Sequence, residues 1–60
     1  MKTYNLYIKL GKLKRMELCT KVSGHYITDC GSVIDVNENV CTIICSGEKI
    51  KCELLSLKVV

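Results

Sequence analysis

Apolar and polar residues alternate along most of this chain with a period of two, which is the signature of half-buried β-strands. Residues 3–10 set Tyr4, Leu6, Ile8 and Leu10 on one side and Asn5, Tyr7 and Lys9 on the other. Gly11-Lys12 punctuates the run. Beyond it, Met16, Leu18, Thr20 and Val22 alternate with Arg15, Glu17, Cys19 and Lys21. A three-residue loop at Gly11-Lys12-Leu13 puts Ile8 opposite Met16 and Leu6 opposite Leu18, so that two apolar faces meet. The competing reading of residues 12–22 is a helix with a ragged stripe of Leu13, Met16 and Thr20, but it has no convincing N-cap and no capping box. Ser23-Gly24 ends the second strand, His25 to Thr28 is a short third one, and Asp29-Cys30-Gly31 is a turn.

From Gly31 to Leu54 the pattern predicts three consecutive antiparallel strands. Ser32 to about Val36 turns through Asn37-Glu38-Asn39 and returns from Val40, because Asn tolerates left-handed backbone. A two-residue turn at Glu38-Asn39 pairs Val36 with Cys41 and Ile34 with Ile43; a three-residue turn pairs Val33 with Ile43 instead. For the next hairpin, a two-residue type II′ turn at Gly47-Glu48 pairs Cys45 with Ile50, Ile43 with Cys52 and Cys41 with Leu54. These six side chains share one face, and Thr42, Ile44, Lys49, Lys51 and Glu53 share the other. The tail alternates Leu55, Leu57 and Val59 with Ser56 and Lys58, and reads as a last strand that closes the sheet or pairs with a neighbour. The expected fold is one mainly β domain over residues 1–60, a five- to six-stranded antiparallel barrel or sandwich built from consecutive hairpins. Closure removes edges on which so short a β chain would aggregate.

Composition sharpens this picture. A 60-residue chain buries only ~60% of its unfolded surface and is marginal unless it is stapled or associates. Hydrophobic residues make up 48%, yet the aromatics are three Tyr, with no Phe, Trp or Pro. The core is therefore aliphatic plus cysteine, and a homo-oligomer is expected. Five cysteines are an odd number. In the predicted register Cys52 lies only diagonal to Cys41 and Cys45, at ~7–8 Å, too far for a bridge. Free buried thiols in a reducing cytoplasm are the expectation. No apolar run is long enough for a signal peptide or a membrane span.

The net charge of +3 is uneven: residues 1–22 carry +5 and residues 23–60 carry −2. The basic hairpin, with Lys9, Lys12, Lys14 and Arg15 gathered at one tip, is the leading candidate site. Such a tip can contact the phosphates of RNA or DNA, and Tyr4, Tyr7 or Tyr26, where exposed, can stack on unpaired bases. Tyr7 joins the basic residues in the candidate set, because Tyr4 belongs to the apolar face. The alternative is a protein-interaction adaptor or small inhibitor that uses an apolar strand face or edge, with Val33, Ile44, Leu57 and Val59 at the interface. His25, the single histidine, has no spacing that makes a dyad with Asp29 and a thiol. Cys41-x3-Cys45 on one strand spans ~13 Å, too far to share a metal ion. No enzyme activity, cofactor or metal is expected.

Gly31-x-Val33, then Val40-x-x-Ile43, Gly47 and Ile50-x-x-x-Leu54 resemble the strand–turn rhythm of small β-barrel families over half the chain. The pattern is similar to SH3-like and Sm-like barrels and to the barrel of hydrogenase-maturation chaperones of the HypC type. The resemblance implies a small barrel. The chaperones begin Met-Cys with a proline soon after, whereas Lys2 follows Met1 here and proline is absent. Their function is not carried over, and the loop motifs of Sm-like RNA binding are missing. An HPr-like α/β sandwich with residues 12–22 helical is the rival fold, without the phosphorylatable histidine at a helix start.

Overall fold

A computed structural model describes residues 2–60 as six antiparallel strands in sequence order, closed into a barrel: β1 (Thr3–Leu10), β2 (Leu13–Val22), β3 (His25–Thr28), β4 (Val33–Asn37), β5 (Val40–Cys45) and β6 (Glu48–Val59). Residues 13–22, the stretch open to a helical reading, are strand, which rules out the HPr-like sandwich. Closure of the ring rules out two separate sheets. Among the described residues there is no helix, hence none long and apolar enough to cross a membrane.

The waist of the barrel is filled by Leu6, Ile8, Cys19, Tyr26, Ile34, Cys41 and Cys52, with Tyr4, Leu10, Val36, Ile43 and Leu54 packed around them. Leu6, Ile8, Ile34 and Cys41 are fully buried. Removing each such aliphatic side chain from water stabilises the fold by roughly 1.5–3 kcal/mol. Turns alternate between the two ends. The β1–β2, β3–β4 and β5–β6 connections lie at one end; the β2–β3 and β4–β5 connections lie at the other, beside Thr3 and Val59.

Register decides which side chains face inward. The β4–β5 hairpin pairs Val36 with Cys41 and Ile34 with Ile43 around Glu38-Asn39, as the two-residue turn predicts. Glu38, rather than an Asn, takes the positive φ of 57°.

The β5–β6 turn falls one residue earlier than expected, at Ser46-Gly47, with φ of 51° and 81°. Two successive positive φ values are the type I′ geometry whose twist matches a hairpin. Cys45 therefore pairs with Glu48, Ile43 with Ile50 and Cys41 with Cys52. This is a slip of two residues, which leaves every side chain on its expected face.

The β1–β2 hairpin differs more. Its turn is Gly11-Lys12 alone, so Leu10 pairs with Leu13, Tyr7 with Met16 and Leu6 with Glu17. A shift of one residue turns β2 over: Cys19 is buried, while Met16 and Leu18 are exposed on the outside. The inversion is tolerable because only Cys19 reaches the waist. Arg15 and Glu17 face the mouth at one end, where the Arg15 Nη2 and Glu17 Oε1 atoms lie 2.5 Å apart. Lys21 sits at the other end, its Nζ 5.9 Å from the Tyr4 ring centre and 5.5 Å from that of Tyr26. The two rings meet edge to face at 5.3 Å. This aromatic pair and its cation cap that end of the core.

β6 is a single twelve-residue strand rather than a strand and a separate tail. It pairs with β5 from Glu48 to Glu53 and with β1 from Glu53 to Val59, and a bulge at Leu55 lets it bend from one partner to the next.

Candidate nucleic-acid interface

The β2–β1–β6 part of the barrel presents a three-stranded outer face. Across it, Lys14 is the partner of Lys9, which is the partner of Glu53. The next row outward-facing is Met16, Tyr7 and Ser56, and the one after it Leu18, Asn5 and Lys58. Tyr7 thus stands at the centre of the face, half-buried, with lysines in the rows on both sides.

Lys9 and Lys14 are directly opposed, an arrangement that destabilises a sheet by a few tenths to ~1 kcal/mol in the free protein. The ion pairs among the described residues are Arg15–Glu17 and His25–Asp35, so neither lysine has an acidic partner within 4 Å. Lys12 is exposed in the turn just beyond them.

Two open grooves flank this ridge. One of about 210 Å³ is lined by Asn5, Tyr7, Met16, Ser56 and Lys58. The other, about 350 Å³, is lined by Lys9, Gly11, Lys51, Cys52 and Glu53.

The structure brings together Tyr7, Lys9, Lys12 and Lys14 from the expected set and separates Arg15 from it. Arg15 faces the barrel mouth, where its guanidinium is committed to Glu17. Tyr4 and Tyr26 are engaged with each other and Lys21, which leaves Tyr7 as the tyrosine on the outer face. Lys51, Lys58, Asn5 and Ser56 were not singled out by the sequence pattern. Ser56 and Lys58 reach this face through the β1–β6 pairing, which joins residues some fifty positions apart and leaves no local signal. Lys51 precedes Glu53 on β6, opposite Thr42 of β5, and Asn5 shares the outer side of β1 with Tyr7.

The second candidate surface is divided: Val33 and Ile44 lie outward as the alternation places them, whereas Leu57 and Val59 pair with Leu6 and Tyr4 and lie on the barrel side. Val33 and Ile44 are direct cross-strand partners on the outside, both half-buried, and Ile27 pairs with Val33 on its other side. The N-terminal hairpin does not cover them, since it is part of the same ring. Leu57 and Val59 lie at the far end of β6, at 39% and 61% exposure.

The cysteines are free: Cys19, Cys41 and Cys52 buried, Cys30 and Cys45 exposed. Cys41 and Cys52 are directly paired rather than diagonal. The Cys52 thiol donates to the Cys41 carbonyl at 3.5 Å. Burial, and then the neighbouring Cys52 thiol, push the Cys41 thiol up to about 12. Burial, followed by Glu17 and Asp29, pushes Cys19 up to about 11. Both therefore stay protonated and act as small hydrophobes. No cluster of three or more metal-ligating side chains occurs among the described residues. His25 Nδ1 contacts Asp35 Oδ1 on the surface, with no thiol or hydroxyl in that contact to serve as nucleophile.

The chain matches no protein-family model, and no curated protein or solved structure shows significant similarity to it.

Proposed function

We propose that this barrel is a non-enzymatic binding module for single-stranded nucleic acid, RNA or DNA. Tyr7 offers a ring on which an unpaired base stacks, and Lys9, Lys12 and Lys14 neutralise the adjoining phosphates, with Lys51 and Lys58 extending the track. The observation that carries this reading is the Lys9–Lys14 pair beside Tyr7. Two cations held opposite one another, with Glu53 across from Lys9 but in no ion pair with it, are a standing repulsion, which an incoming phosphate relieves. Free thiols fit a cytoplasmic setting.

The test is fluorescence anisotropy with labelled mixed-sequence single strands, titrated from about 50 to 300 mM salt. About three phosphate contacts give a log–log salt slope near −2 for single strands. Tyr7→Ala is expected to weaken binding by roughly 1–3 kcal/mol, and joint replacement of Lys9, Lys12 and Lys14 by Glu abolishes it. Binding that ignores salt, or none at all, sinks the proposal.

The second reading is a protein-interaction surface centred on Val33 and Ile44. It is supported by the outward apolar row of Ile27, Val33 and Ile44. It predicts a complex insensitive to salt and lost on Ile44→Asp.

A further inference from the structure

We infer that the end of β6 is a pairing edge for a second copy of this chain, joining two barrels by an antiparallel β6–β6′ contact. The inference stands independently of the nucleic-acid reading. β5 covers β6 only as far as Glu53, and the last main-chain bond on that side is from Leu54 N to Asn39 O at 2.8 Å. Beyond it, among the described residues, no strand lies along that edge of β6.

The direction of the free groups follows from one hydrogen bond. Val60 N donates to Thr3 O at 2.9 Å, so in the alternating antiparallel ladder Lys58 is hydrogen-bonded to β1 and Val59 and Leu57 are not. The N–H and C=O of Leu57 and Val59 point away from β1, into the open.

Their side chains make the edge adhesive. Natural sheets blunt such edges with charge, proline or coverage. Here the residues are Leu57 and Val59, with Val60 exposed beside them and Lys58 as the sole charge.

The segment is complementary to itself. A two-fold axis through Lys58 pairs Leu57 with Val59′ and Val59 with Leu57′. It thereby engages all four free main-chain groups of each copy and stacks apolar side chains on the barrel side. On the outer side it sets Lys58 against Lys58′, the one unfavourable contact. The self-association is thus opposed by a like-charge pair that salt screens, so the dimer tightens as salt rises, opposite to nucleic-acid binding. Both copies then share one sheet in the order β2–β1–β6–β6′–β1′–β2′, with their Tyr7 faces on the same side.

The test is sedimentation equilibrium without nucleic acid, over roughly 10 μM to 1 mM protein, in low and high salt. Wild-type protein is expected to show a monomer–dimer equilibrium that shifts toward dimer in high salt. Lys58→Thr removes the repulsion, tightens the dimer about threefold and flattens its salt dependence. Val59→Pro removes an N–H that the barrel itself does not use, so it yields a monomer with an unchanged circular-dichroism spectrum. A Lys58→Glu variant mixed with wild type favours the heterodimer over either homodimer. A Lys58→Thr protein that is monomeric at 1 mM, or a Val59→Pro variant that dimerises like wild type, overturns the inference.

Discussion

Lys14→Glu tests fold and site together, because the structure predicts opposite effects on stability and on binding. Lys14 stands opposite Lys9 on the outer face, and Lys9 has Glu53 as its other neighbour. Reversing the charge at residue 14 replaces a repulsion with an attraction. Cross-strand charge pairs contribute roughly 0.2–1 kcal/mol, and removing a like pair adds a similar amount. A net gain of about 0.5–1 kcal/mol in a domain this small raises the melting temperature by about 4–8 °C. The same change places a carboxylate where a phosphate is proposed to sit. Affinity for single strands is expected to fall more than about tenfold in 100 mM salt, and the salt slope to become shallower by about 0.7 for the lost contact. Differential scanning calorimetry reads the first effect and anisotropy the second. Lys12→Glu is the control, since Lys12 lies in the turn with no lysine opposite: it weakens binding without raising the melting temperature. A lower melting temperature for Lys14→Glu refutes the two-residue turn, because in the three-residue alternative residue 14 faces Leu10 instead. A higher melting temperature with undiminished binding leaves the register standing and moves the nucleic acid elsewhere.

Stability should also decline in alkali. The Cys19 and Cys41 thiols are raised to about 11 and about 12 in the fold from an ordinary value of 9. Above pH 9 the unfolded chain loses these protons first, so stability present in full below that pH is lost as pH rises toward the folded values, at up to ~1.4 kcal/mol per pH unit for each thiol. Urea midpoints from pH 7 to 10.5 read this, and Cys19→Ala with Cys41→Ala should flatten the profile; an unchanged midpoint across the range contradicts it. Thiol counting with a chromogenic disulfide at pH 8 is expected to titrate Cys30 and Cys45 rapidly and Cys19, Cys41 and Cys52 only as the barrel opens. Five equally fast thiols contradict the burial of three.

Strand positions were legible in the sequence because period-two alternation reports a half-buried surface wherever it occurs. Registers were less so, for reasons that differ between hairpins. At β5–β6 the hydrophobic pattern cannot tell Ser46-Gly47 from Gly47-Glu48, because the two registers differ by two residues and sort the faces identically. Turn geometry makes the choice. At β1–β2 the pattern pointed the wrong way, since matching Met16 and Leu18 to Ile8 and Leu6 joins apolar to apolar. A barrel of six short strands has two open mouths, and there Arg15, Glu17 and Lys21 face inward. Arg15 stays open to water and pairs with the largely buried Glu17, and Lys21 lies over the tyrosine rings. Only Cys19 has to be apolar. The same shift explains the site: with β2 turned over, Arg15 left the basic face and Lys14 came opposite Lys9. Lys58 joined it through pairing that no turn announces.

The reach of β6 has a bearing on how the chain folds during synthesis. β6 is the one element that touches both β5 and β1, and it pairs Val59 with Tyr4 across nearly the whole length of the sequence. Until it leaves the ribosome, β1–β5 can form no more than an open meander, with β1 and β5 each offering a bare edge to other nascent chains. Ring closure therefore follows translation of these strands and does not accompany it. The long sequence separation makes that step the slow one, although loop-closure entropy grows only logarithmically with length. The interval between synthesis and closure is when the open edges of β1 and β5 are most exposed to neighbouring chains, and its length is set by how fast one twelve-residue strand finds two partners.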